Sequence, residues 1–204
     1  SLCRTTQRNP NDRFGFMIKA LITDFDGTLV DTFDANLRAY QKAFADVGIT
    51  LTAERYRECF GYRFDRFMTA MGIYDAETAL RIKEAKKEYY PQYFEYLRPN
   101  HTLICLLRSW HLLGMKTAIA STARKENLMN AINHLGIADI FDLIYAGIDV
   151  KQGKPSPEIY NKAMDALNVS PEETLIFEDS NIGVEAAVSC GAKFIRVTSE
   201  WFGK

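Results

Sequence analysis

The sequence predicts an α/β protein: a Rossmann-like, doubly wound parallel sheet core with an inserted α-helical cap domain. Three features predict it. Ile18 to Thr23 is a short apolar run of the kind that forms a strand buried on both faces. From Thr102 onward, short apolar runs alternate with amphipathic helical stretches, the pattern of a parallel sheet covered by helices. Between these two regions, from Asp34 to Pro99, the periodicity is helical and no convincing strand occurs.

The elements follow in order. Leu37, Tyr40, Phe44 and Val47 recur at helical spacing, and Gly48 stands where a C-terminal glycine belongs. Thr52 and Asp75 are expected N-caps of further helices. Beyond residue 102 the reading gives a helix from Leu103 to Leu113 closed by Gly114, a strand from Lys116 to Ala120, and a helix from Glu126 to Leu135 closed by Gly136. A short strand from Leu143 to Ala146, a helix from Pro157 to Leu167 and a strand from Thr174 to Phe177 come next. A helix from Ile182 to Ser189 and a strand from Phe194 to Val197 complete the pattern. The expected division is therefore an N-terminal extension over residues 1–16, an α/β core over 17–32 and 100–204, and a helical cap over 33–99. The extension carries Arg4, Arg8 and Arg13 without a following apolar stretch, so it is read as lying outside the fold and not as a secretory signal.

Composition narrows the function classes. The 204 residues are 47% hydrophobic and 25% charged, the balance of a chain that folds around a core. The net charge of −1 offers no basic surface for nucleic acid and none for an anionic membrane. No apolar run approaches the roughly 18 residues of a membrane span. Cys3, Cys59, Cys105 and Cys190 are scattered, with neither zinc-ligand nor disulfide-framework spacing, which is expected of idle thiols in the cytoplasm. A monomer or weak dimer is expected.

Ligands of open parallel sheets bind beyond the carboxyl ends of the strands, so the residues after each strand carry the chemistry. The first strand leads to Asp24 and Asp26, the second to Ser121 and Thr122, the third to Gly153-Lys154-Pro155, and the fourth to Glu178, Asp179 and Ser180. Carboxylates from Asp24, Glu178 and Asp179 meeting at one edge would repel unless a cation lay among them, and an oxygen-only donor set selects Mg²⁺. The Ser121 hydroxyl, the helix that follows it and the Lys154 ammonium supply what a phosphate needs. Asp24 is then placed to attack phosphorus, and Asp26, two residues on, to protonate the leaving oxygen and later deprotonate water.

DFDGTLVDT at 24–32, IAST at 119–122, GKPSPEIY at 153–160 and FEDSNIGVEAA at 177–187 together resemble the four motifs of the haloacid dehalogenase-like hydrolase superfamily. They stand in the expected order and span nearly the whole chain after Met17. The insert between the first two resembles the small α-helical cap of the phosphoglycolate phosphatase and β-phosphoglucomutase group. That resemblance implies Asp24 as nucleophile, Asp26 as acid/base, and Ser121 and Lys154 on phosphate; Thr122 is expected to add mainly its backbone N–H. It also implies Mg²⁺ held by Asp24, Asp179 and the Asp26 carbonyl, with Glu178 as a metal or metal-water ligand. Gly61-Tyr62-Arg63-Phe64-Asp65-Arg66 resembles the cap's specificity loop, making Arg63 or Arg66 a candidate for an anionic leaving group, the other reading being a solvated helix-face arginine.

The implied activity is hydrolysis of a small phosphorylated metabolite through an aspartyl-phosphate. Asp26 argues against carbon–halogen cleavage, and the absence of lysine from Ala43 to Ile82 argues against phosphonate cleavage. Asn36 stands where the phosphoglucomutases carry a histidine, which weakens the mutase alternative. A phospho-accepting signalling domain, the alternative from another class, needs neither a cap nor Asp26. Asp31 and Thr32 are expected as hinge and cap, and Tyr89, Tyr90, Tyr93, Phe94 and Tyr96 as packing residues of the insert.

Overall fold

A computed structural model describes residues 17–203; the expected extension over 1–16 lies outside the described residues. A five-stranded sheet in the order β5-β4-β1-β6-β7 forms the centre of the molecule. Its strands are β1 (Ala20–Thr23), β4 (Lys116–Ala120), β5 (Leu143–Tyr145), β6 (Thr174–Glu178) and β7 (Lys193–Arg196). Every pairing is parallel, with Ile22 opposite Ala118 on one side and Ile176 on the other.

Side-chain alternation along these strands builds two cores. Leu21, Ile119 and Phe177 face one way and pack with Leu103 and Leu107 of α5 (His101–Leu112) and Leu128 and Ile132 of α6 (Lys125–Leu135). Ala20, Ile22, Ala118, Ala120 and Ile176 face the other way. They meet Ile159, Tyr160 and Met164 of α7 (Glu158–Leu167) and Ala186 and Ala187 of α8 (Asn181–Ser189). Small strand residues on this second face leave room for the bulk that α7 presents.

Four helices lie between the first strand and the rest of the sheet: α1 (Phe33–Ala45), α2 (Ala53–Cys59), α3 (Phe64–Ala70) and α4 (Ala76–Tyr89). They pack around Phe44, Tyr56, Phe67, Met68 and Ile82. Thr52 and Asp75 cap α2 and α4 as expected, accepting from the Arg55 and Thr78 amides at 3.2 and 2.7 Å. A 3₁₀ turn, Tyr90–Tyr96, leads back toward the sheet.

The expectation of no strand before Pro99 is corrected at its end. β2 (Val30–Asp31) and β3 (Arg98–Pro99) form a two-residue antiparallel ribbon where the helical segment leaves and returns. Asn100, fully buried, ties the two crossings together through its amide to Leu29 O (2.9 Å) and its Nδ2 to Thr28 O (3.2 Å). Two residues are too few for alternation to register in a sequence. No helix among the described residues is long and apolar enough to cross a membrane.

Candidate active site

The β1 ladder carries on one residue past the strand, where the Asp24 amide donates to Phe177 O at 3.0 Å. This fixes the direction of the Asp24 side chain at the sheet edge. The chain then bends sharply at Gly27, whose φ is +87°. A Cβ at Gly27 would also overlap the Asp179 carboxylate, so glycine is required twice over.

Lys154 reaches this edge from the loop after β5. Its Nζ donates to Asp24 Oδ1 (2.6 Å), Glu178 Oε1 (2.5 Å) and Ala120 O (3.0 Å). Burial works against the ammonium, but Asp24 and Glu178 outweigh it and hold Lys154 charged well above the ordinary lysine range.

Glu178, fully buried at the end of β6, has donors on both oxygens. Oε1 accepts from Lys154 and from the Tyr160 hydroxyl (2.8 Å). Oε2 accepts from the Asp179 amide and from the amide and hydroxyl of Ser180, at 3.0 to 3.2 Å. Burial pushes its carboxyl up, yet Lys154 and these hydrogen bonds hold it below the usual range.

Asp179 and Asp24 experience the opposite balance. Burial first, and then the neighbouring Glu178, push Asp179 up to about 6. Burial also pushes Asp24 well up, with Lys154 opposing and Glu178 and Asp179 adding to the rise. Ligand oxygens of Asp24, Glu178 and Asp179 lie within 4.8 Å of one another. This hard, oxygen-only donor set is short of positive charge and fits a divalent cation.

Asp26 lines the same cleft but is held from its other side. Its Oδ1 accepts from Thr32 Oγ1 (2.5 Å) and Asn36 Nδ2 (3.2 Å) at the start of α1. Thr32 was expected to cap α1, but its hydroxyl makes no cap bond and goes to Asp26 instead. Ser121 is fully buried, with its Oγ accepting from the Ala123 amide at 3.0 Å. The helix that follows it starts at Lys125, one residue before the expected Glu126.

Thr122 lines the cleft with Asp24, Asp26, Lys154 and Asp179, and its hydroxyl donates to Gly61 O at 3.2 Å. Arg63 is absent from the cleft lining, its Nη1 donating to Lys151 O. Arg57 of α2 and Arg196 of β7 line the cleft instead. Sequence spacing had no means to separate Arg57 from Arg63 in a segment of unknown orientation.

The cleft continues into a chamber between the sheet edge and the helical segment, the two sharing Asp26, Phe60, Gly61 and Thr122. Tyr90, expected as a packing residue, lines this chamber with Tyr40, Asn36 and Lys86. The signal for Lys86 was present in the sequence. It stands four residues after Ile82, on the buried face of α4, just beyond the lysine-free stretch.

The sequence profile of the haloacid dehalogenase-like hydrolases matches residues 21–197. A phosphorylated carbohydrates phosphatase of Thermotoga maritima is 32% identical over 184 residues, covering 87% of this chain and 84% of that protein. The protein CbbY of Cereibacter sphaeroides is 32% identical over 194 residues, covering 88% and 84%. Among solved structures, CbbY from Rhodobacter sphaeroides in complex with xylulose-(1,5)bisphosphate superposes with a TM-score of 0.78 at 28% identity, covering 91% of this chain and 88% of that one. A β-phosphoglucomutase from Clostridium difficile gives 0.77 at 27% identity, covering 92% and 88%.

Proposed function

The chain belongs to the haloacid dehalogenase-like hydrolase family, and from that premise we propose that it is a phosphatase of small phosphorylated carbohydrates working through an aspartyl-phosphate on Asp24. The observation that carries this reading is the buried lysine bridge. Lys154 holds one oxygen of Asp24 and one of Glu178 beside Asp179, at the mouth of a cleft that Asp26 also lines.

In the proposed reaction, Lys154 fixes the Asp24 carboxylate and offsets charge as it approaches an anionic phosphoryl group. The free oxygen of Asp24 attacks phosphorus, and the bond to the leaving oxygen breaks. Asp26, held on one side by Thr32 and Asn36, gives its proton to that oxygen. It then takes a proton from the water that attacks phosphorus and releases Asp24. Ser121 and Thr122 hold phosphate oxygens. The helical segment acts as the lid that excludes bulk water during the anhydride stage.

Asp24, Asp179 and the Asp26 carbonyl would hold Mg²⁺, with Glu178 at the margin because donors already meet both its oxygens. The ion, when bound, supplies positive charge for the phosphoryl oxygens and the nucleophile. Arg57 takes over the anion-facing place that the sequence reading gave to Arg63.

Asn36 on Asp26 disfavours the mutase alternative, since an amide has no proton to relay during return of the phosphoryl group. The experiment is a panel of sugar and short-chain phosphates assayed with Mg²⁺ and with chelator. Turnover that requires the metal and vanishes in Asp24→Asn is expected. Wild-type rates in that variant would overturn the nucleophile, and a phosphoenzyme persisting for many minutes would favour a signalling role.

A further inference from the structure

Arg196 is the last residue of β7, the edge strand of the sheet, and lies outside the four motifs that carry the site. Its side chain nonetheless lines the cleft with Asp24, Lys154 and Asp179. Among the described residues its guanidinium has no carboxylate partner. Nη2 donates instead to two neutral acceptors, the Asp179 carbonyl at 3.1 Å and Asn181 Oδ1 at 2.5 Å. Ordering a long exposed side chain costs rotamer entropy, so an edge-strand arginine has reason to stay in water. Arg196 instead fastens one turn of chain, residues 179–181.

The sheet fixes where the arginine points. Arg196 stands opposite Glu178 in the β6–β7 ladder, and the next amide, Val197 N, donates to Glu178 O at 2.8 Å. The residue before Asp179 is thereby locked to the strand that carries the guanidinium. The peptide joining Asp179 to Ser180 is then gripped on both sides. Its N–H donates to Glu178 Oε2 at 3.2 Å, and its carbonyl accepts from Arg196.

The Asp179 carboxylate is held more lightly than that of Glu178, which has donors on both oxygens. Among the described residues one side-chain donor reaches it, Thr28 Oγ1 on Oδ1 at 2.9 Å. Such freedom suits an oxygen offered to a cation, and it leaves the carboxylate to take its place from the backbone beneath it. Water can satisfy the Asp179 carbonyl if the arginine is removed, but water cannot tie the turn to β7.

We propose that Arg196 is a positioning residue for the divalent cation: by clamping the 179–181 turn to β7, it presents the Asp179 carboxylate to the ion beside Asp24. This rests on the metal reading above and deepens it. Arg196 acts through Asp179 and not on the phosphoester, so its effect falls on metal affinity. Outer partners that orient metal ligands commonly set about 10–100-fold of that affinity.

The test is calorimetric titration with MgCl₂, without substrate, of wild type, Arg196→Met and Arg196→Lys. Methionine keeps an apolar stem and removes both hydrogen bonds; lysine keeps a cationic donor and loses the fork. Arg196→Met is expected to bind Mg²⁺ about tenfold or more weakly than wild type, with Arg196→Lys between them. The rise in unfolding temperature on adding MgCl₂ reads the same equilibrium and is expected to shrink in the same order.

A metal-free Arg196→Met that is less stable but binds Mg²⁺ as wild type does would make the arginine a structural tether and overturn the proposal. A loss confined to KM for the phosphoester, with Mg²⁺ binding unchanged, would make it a substrate contact and overturn the proposal as well. Equal binding in all three proteins overturns the proposal alone, whereas a wild type that binds no Mg²⁺ removes the metal reading and the proposal together.

Discussion

Lys154 Nζ lies 2.6 Å from Asp24 Oδ1 with both side chains almost closed to solvent. The same nitrogen holds Glu178, so one ammonium is shared by two buried carboxylates. Removing it in Lys154→Met strands both, and an uncompensated buried charge costs about 3–5 kcal/mol. Asp24→Asn leaves the Lys154–Glu178 pair intact and is expected to cost only about 1 kcal/mol. Both variants should lose turnover, and urea denaturation should separate them widely. Equal midpoints would show that the bridge does not support the fold.

Gly183 makes room for the Glu178 carboxylate: a Cβ there would coincide with it. Gly183→Ala must displace either the first turn of α8 or Glu178 itself, together with the donors that Glu178 orders. Overpacking of this kind typically costs about 1–3 kcal/mol. The expected result is a lower unfolding temperature and a fall in kcat, read by thermal denaturation and steady-state kinetics. A variant with wild-type kcat would show that Glu178 can move without consequence for turnover.

The parallel core was legible because each strand is a compact apolar run flanked by helical periodicity, and Leu21 and Ile22 announce its two faces in consecutive residues. The acidic edge was legible for the same reason, since Asp24, Lys154, Glu178 and Asp179 each sit at or just beyond a predictable element. The β2–β3 ribbon was not, because a two-residue pairing depends on where the chain returns and not on local pattern. Thr32 reads locally as a helix cap; only the bend at Gly27 brings the Asp26 carboxylate within its reach. That Arg57 and not Arg63 lines the cleft depends on the orientation of α2 against the sheet edge, which no spacing rule contains.

Thr32 and Asn36 both donate to Oδ1 of Asp26, leaving Oδ2 for the reacting molecule. Asp26→Asn should lose about 10²–10⁴-fold in kcat, the usual contribution of a positioned acid or base. Thr32→Val and Asn36→Ala should each lower kcat by about tenfold with KM little changed, because they orient Asp26 without touching the substrate. The double variant should lose more than the product of the two losses, since each partner partly holds what the other releases. Losses appearing in KM alone would assign both residues to binding.

Lys86 gives a pH-dependent stability with a definite sign. Burial lowers the folded-state value from 10.5 to about 7, so between these limits the unfolded chain binds a proton that the folded chain does not. The penalty of the buried charge is therefore full below pH 7 and fades as pH rises toward 10.5. Lys86→Met has no such penalty. It is expected to be more stable than wild type at pH 6.5, by on the order of 5 kcal/mol, with the gap closing progressively up to pH 10. Thermal denaturation of both proteins across that range measures the gap. A variant less stable than wild type at pH 6.5 would mean that the ammonium is held by a favourable interaction and not tolerated at a cost.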